Sequence, residues 1–220
     1  MPELKILLAD GRRYIWAALF IFVVGAFLGY VYHGIFGQAI APFMENLKEL
    51  VKRIETVNSP LYMSWLIFQN NLVASLTLLV LGTVLFVIPI FSLFINGVAV
   101  GYVLALSSLE EGISPFLMLL FGILPHGLLE LPAVFLAGGI GMFFGIRLLY
   151  WLFGSGQFLA HLFGGMRQSV GEFWREKTLP ALRQRVTGAV RLVLVVMVML
   201  FGAALIESFI TPVLLYLFVY

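Results

Sequence analysis

The chain contains no cysteine. That absence excludes disulfides, iron–sulfur clusters and thiol nucleophiles, and it leaves the redox compartment undetermined. Charge is also scarce, at 11% of 220 residues, beside 62% hydrophobic residues and a mean hydropathy of +1.07. No soluble domain of this length stays in solution with that balance, so the chain reads as a polytopic membrane protein. The basic surplus is only two residues, which implies no nucleic-acid partner. No nucleotide-binding signature occurs, so active transport would need a partner ATPase or an ion gradient. The second histidine of an H-E-x-x-H protease is missing, as are serine–lysine or paired-aspartate arrangements for intramembrane proteolysis, so no catalytic set is visible.

What is present is long apolar runs. A helix needs about 20 apolar residues to cross the hydrocarbon. Five segments meet or approach that, at 14–36, 61–88, 89–106, 115–153 and 192–220. The expectation is an all-α, single integral membrane domain of five spans over residues 1–220. The first run exceeds an ordinary signal core, despite a small-x-small string at Ala39-Ile40-Ala41, and is read as a retained span. Spans two and three are separated by an uncharged turn at Ile88-Pro89-Ile90-Phe91-Ser92. The fourth segment is too long for one simple crossing. Gly122, Pro125, Gly127 and Pro132 suggest a broken or re-entrant first part, followed by a spanning helix through Gly138-Gly139. Irregular backbone at that depth is tolerated only against protein or water, which places this segment centrally.

Orientation follows the basic residues. Lys5, Arg12 and Arg13 precede the first span, and Arg147, Arg167, Arg175, Lys177, Arg183, Arg185 and Arg191 lie between spans four and five. The opposite side has Lys48, Lys52 and Arg53, balanced by Glu45, Glu49 and Glu55, and the acidic pair Glu110-Glu111. Ten positive residues against three predict a cytoplasmic N-terminus and an external C-terminus in the cell membrane. An outer amphipathic helix is expected at 42–57, with Leu47, Leu50, Val51 and Ile54 on one face and the pair Glu49/Arg53 in support. The segment 154–191 mixes basic residues with Phe163, Phe173 and Trp174, which suits a cytoplasmic interface against anionic headgroups or simply sets topology.

Polar residues inside the spans form the next layer. Counting 1.5 Å per residue puts Glu130 and Glu207 within roughly 5 Å of the midplane, and Asn70, Asn71 and His126 about 6–9 Å to its outer side. Asn96 falls near the centre. Asn96 reads as interhelical glue, and Asn70-Asn71 as satisfying carbonyls freed by Pro125 and Pro132. An ionisable group at such depth costs about 2.5–3.5 kcal/mol and needs a partner or a task. His126 and Glu130 are four residues apart and share a helix face. With Glu207 they make a ligand set suited to a divalent metal such as zinc. The same three groups also suit a proton-sharing network or a buried structural one. Three GxxxG pairs, Gly25/Gly29, Gly97/Gly101 and Gly141/Gly145, are about the number expected by chance among 22 glycines. The small-residue ridge Ala137, Gly141, Gly145 is the surface on which a homodimer is expected, with packing inside one chain as the alternative.

The string Pro125-His126-Gly127-Leu128-Leu129-Glu130-Leu131-Pro132-Ala133, followed by Gly138-Gly139 and Gly141, resembles the signature of the stage II sporulation protein M family of integral membrane proteins. Asn70-Asn71, Asn96-Gly97 with Gly101, and Ile206-Glu207-Ser208-Phe209-Ile210-Thr211-Pro212 fit the same resemblance, which covers all five spans in order. The resemblance implies a scaffold: in sporulating bacteria the family member forms a complex with two peptidoglycan-degrading proteins and localises septal wall thinning. The leading expectation is therefore a non-catalytic membrane platform whose partners are envelope-remodelling enzymes. The alternatives are a transporter or channel-like subunit with a midplane ion or proton site, and a metal-dependent membrane enzyme using His126, Glu130 and Glu207.

Overall fold

The structure is a computed structural model that describes residues 2–42, 45, 59–109, 112–149 and 179–219. Among the described residues every regular element is helical, and five helices are long and apolar enough to cross a membrane. Helix α1 (Pro2–Val31) is followed by the short α2 (His33–Ala39), then α3 (Pro60–Val84) and α4 (Val87–Leu109). The fourth span, Pro115–Leu149, is one turn of α-helix, a π-helical segment Met118–Ile123, and α5 (Leu124–Leu149). The fifth runs through α6 (Leu179–Leu205), a π segment Ile206–Ile210 and α7 (Thr211–Phe218).

Several boundaries differ from the sequence expectation. Helix α1 begins at Pro2 rather than near Tyr14, because Glu3, Lys5, Arg12 and Arg13 are good helix formers and Leu7 and Gly11 pack inward. The turn between spans two and three is Leu85-Phe86, and Pro89 sits in the first turn of α4, where its missing N–H is tolerated. The fourth segment is not re-entrant: Pro125 and Pro132 are absorbed without leaving the helix. The fifth span begins before Leu192, so residues 179–191 of the expected interfacial segment belong to α6. The rest of that segment, and the outer amphipathic helix except positions 42 and 45, lie outside the described residues.

Helix α1 shows why the bundle closes. Ala18, Phe22, Gly25 and Gly29 are buried, while Trp16, Phe20, Val23 and Phe27 are exposed. Both sets step by four, three and four residues, so one stripe faces protein and the other faces lipid. Gly25 and Gly29 meet Gly97 and Gly101 of α4 backbone to backbone. A methyl at any of the four would run into a carbonyl of the opposite helix, at Phe94, Val98, Phe22 and Ala26 respectively. Two of the three GxxxG pairs thus form one reciprocal contact.

Helix α5 lies in the middle and touches α1, α3, α4 and α6. Its glycines make that possible. A Cβ at Gly138 would lie 3.1 Å from Leu93 of α4, and one at Gly139 would lie 2.7 Å from the Ile15 Cα of α1. Gly141 and Gly145 face the Leu78 and Gly82 carbonyls of α3. Three neighbouring helices therefore converge on four residues of α5. The Ala137–Gly141–Gly145 ridge is buried against α3 inside the chain, so it offers no surface to a second copy, and a homodimer would need another face.

Helices α1 and α6 meet where Gly188 faces Glu3 and Leu7. An ion pair flanks the meeting point on each side, Arg185 to Asp10 at 2.9 Å and Arg191 to Glu3. The lower-numbered acid takes the higher-numbered arginine, so the two helices cross there.

Candidate functional site

Each of the last two spans carries a proline two residues after the end of a π segment, and the physical cause is the same in both. Proline has no N–H to give the carbonyl four residues back, and its ring clashes with that carbonyl. The preceding turn widens instead. Leu124 N–H donates to the Leu119 carbonyl five residues back, and Pro125 follows. Thr211 N–H donates to the Ile206 carbonyl, also five back, and Pro212 follows. The two widened turns lie at the same end of the bundle. Gly122 lets α7 approach, with a Cβ there lying 3.3 Å from the Leu215 side chain, and the Phe121 ring stacks on Phe218 at 4.5 Å and 12°.

Beside these turns the two spans bring their ionisable groups together. His126 and Glu130 project from one face of α5 and Glu207 from the π segment of the fifth span. One ligand atom from each lies within 4.8 Å of the others. All three side chains are partly buried. Among the described residues none of the three hydrogen-bonds to another, so they converge on a common point without closing it. The Thr211 hydroxyl, on a residue only 6% exposed, lies 3.5 Å from His126 Nδ1. Ser208, next to Glu207 in the π segment, keeps a buried hydroxyl with no hydrogen-bond partner. Both ion pairs among the described residues are far away, where α1 crosses α6, so neither supplies a counter-charge to Glu130 or Glu207. Small residues let the spans approach at the next level: Ala133, Ala203 and Ala204 are fully buried, and a Cβ at Gly202 would lie 3.1 Å from Leu129.

Other polar residues expected in this layer lie elsewhere. Asn96 donates to the Ser92 carbonyl at 2.8 Å, four residues back, so among the described residues its side chain bonds its own helix rather than a neighbouring one. Asn70 is exposed and Asn71 partly buried, and neither bonds the backbone freed by Pro125 or Pro132 among the described residues. Gly127 is buried against side chains of its own span, while Pro132 is exposed. Thr211 is the residue that sequence reasoning missed. Its signal was present, since Thr211 stands four residues after Glu207, the spacing that relates Glu130 to His126.

A family model described as Stage II sporulation protein M matches residues 18–212. The chain belongs to the stage II sporulation protein M family. Comparisons with curated proteins and with solved structures return no match. In this family member the matched region holds the whole His126–Glu130–Glu207–Thr211 cluster and the reciprocal glycine contact. Glu3 and Asp10, the acids of the two ion pairs, lie outside it.

Proposed function

We propose that this chain is a non-catalytic membrane platform of the stage II sporulation protein M type, assembled with partner proteins that include cell-envelope remodelling enzymes. Its N-terminus is cytoplasmic and its C-terminus external. The observation that carries this reading is the backbone-to-backbone packing of the interior. Gly25/Gly29 on Gly97/Gly101, and Gly141/Gly145 on Leu78 and Gly82, set backbone directly against backbone at these points. Close-packed interiors deform little, and backbone-to-backbone contacts offer fewer alternative packings than side-chain contacts do. Such a bundle suits holding partners in place better than alternating between two shapes.

A second reading is favoured by one specific observation, the cluster of His126, Glu130 and Glu207. Ionisable groups within spans mark ion and proton paths. Reconstitution into liposomes loaded with pH- and zinc-sensitive dyes separates the two. The platform reading expects flux no greater than in empty liposomes. Flux that is abolished by Glu207→Gln would overturn it and establish an ion- or proton-conducting subunit.

A further inference from the structure

We propose that His126, Glu130 and Glu207 bind one divalent transition-metal ion of the zinc class, clipping the fourth span to the fifth, with Thr211 orienting the histidine. This goes beyond the platform reading and is independent of it, because a metal clip serves a rigid bundle without any partner protein.

The donor set comes first. One imidazole nitrogen and two carboxylates are ligands that zinc and similar ions take, and the imidazole argues against magnesium or calcium, which take oxygen. Three protein ligands leave a fourth position for water. The geometry is second. Atoms mutually within 4.8 Å have a common point within about 2.8 Å of each, by plane geometry. Zinc bonds of about 2.0–2.2 Å then require each side chain to move by less than about 1 Å, which carboxylate and imidazole rotamers supply.

Charge is the third argument. Two carboxylates within adjacent membrane spans need compensation, and no arginine or lysine pairs with either among the described residues. A divalent ion neutralises both in one step. Lastly, Thr211 supplies the support that metal-binding histidines need. An Nδ1–H directed at the Thr211 hydroxyl leaves the Nε2 lone pair for the ion, and a partner on the remote nitrogen is the usual companion of a ligating histidine. The two π segments fit this arrangement, because a widened turn re-aims side chains locally and π turns recur at functional sites.

The test uses the full chain, purified without a polyhistidine tag and without chelator, and read by elemental analysis and thermal unfolding. Wild-type protein is expected to carry about one equivalent of zinc or a similar ion per chain, in line with a three-ligand site. Chelation should lower Tm and added Zn²⁺ should restore it. Glu130→Gln and Glu207→Gln should abolish the metal and the Zn²⁺-dependent shift, whereas Asn96→Ala keeps both. Thr211→Val touches no proposed ligand atom, and it should lower Zn²⁺ affinity by roughly 10- to 100-fold with unfolding still cooperative. If the glutamine variants fail to fold, wild-type chelation and add-back together with Thr211→Val still decide the matter. Wild-type protein that carries no metal and whose Tm ignores Zn²⁺ overturns the proposal in favour of a proton-sharing network. Bound metal that survives in Glu207→Gln and in Thr211→Val overturns it in favour of a site elsewhere.

Discussion

A leucine at position 139 or 141 has nowhere to go. The Cβ positions there already abut the Ile15 backbone and the Leu78 carbonyl, and backbone yields less than a side chain. Gly141→Leu should therefore destabilise the bundle by about 3 kcal/mol or more, the upper range for overpacking, and leave any self-association of the folded fraction unchanged. Thermal unfolding and detergent-phase mass measured on the same sample check this, and a stable variant of altered oligomeric mass would contradict it. The same scale shows what depth counting misses. Counting 1.5 Å per residue along an axis gives height but no azimuth. Asn70 and Asn71 share the height of His126, yet Asn70 points off the outside of α3. His126, Glu130 and Glu207 were legible together because the i,i+4 rule supplied azimuth for two of them and the cost of an unpaired carboxylate supplied it for the third. Asn96 was misread because a bond to its own helix four residues back leaves no trace in the pattern.

At the level of elements, prolines and glycines carried most of the legible fold, and they are ambiguous in one respect. Pro125 with Gly122 and Gly127 signals a disturbed ladder, but both a re-entrant loop and a widened turn answer that signal. Packing decides between them: Phe121 stacks on Phe218 and Gly122 faces Leu215, so the segment stays helical and leans on α7. This yields a test for the fifth span. Pro212→Ala returns an N–H to the ladder and removes the reason for the wide turn at Ile206–Ile210. Thr211 and α7 should then rotate by roughly 100°, the angle of one helical residue, away from His126 and Phe121. The chain's lack of cysteine allows a direct readout. Phe121→Cys with Phe218→Cys should join readily through a short bifunctional thiol reagent, and at least several-fold more slowly when Pro212→Ala is added. Equal rates would mean that the π turn is held by packing alone.

For the whole molecule, the proposed orientation makes two opposite predictions about the water-soluble ends. Ser114 and Gln184 are both exposed, the first at the start of the fourth span and the second in the first turns of α6. In intact cells Ser114→Cys should react with a membrane-impermeant thiol reagent and Gln184→Cys should react only after lysis. Labelling of Gln184→Cys alone would invert the topology. Five spans were readable from apolar length and the central place of the fourth from its prolines and glycines, whereas the crossing of α1 and α6 was not. Lys5, Arg12, Arg13, Arg183, Arg185 and Arg191 read as a positive-inside signal, and their acidic counterparts Glu3 and Asp10, the only aspartate in the chain, went unweighed. That crossing bears on how the protein is born. Arg185 and Arg191 stand 175 and 188 residues from their partners, so α1 leaves the ribosome long before α6 is made and waits for it before Leu7 is covered. Until α6 arrives, the earlier spans must persist in the bilayer as an open assembly, with the side of α5 that later meets α6 turned to lipid or to whatever insertion machinery shelters it. Arrival of α6, rather than entry of any earlier span, is the moment at which this contact can close.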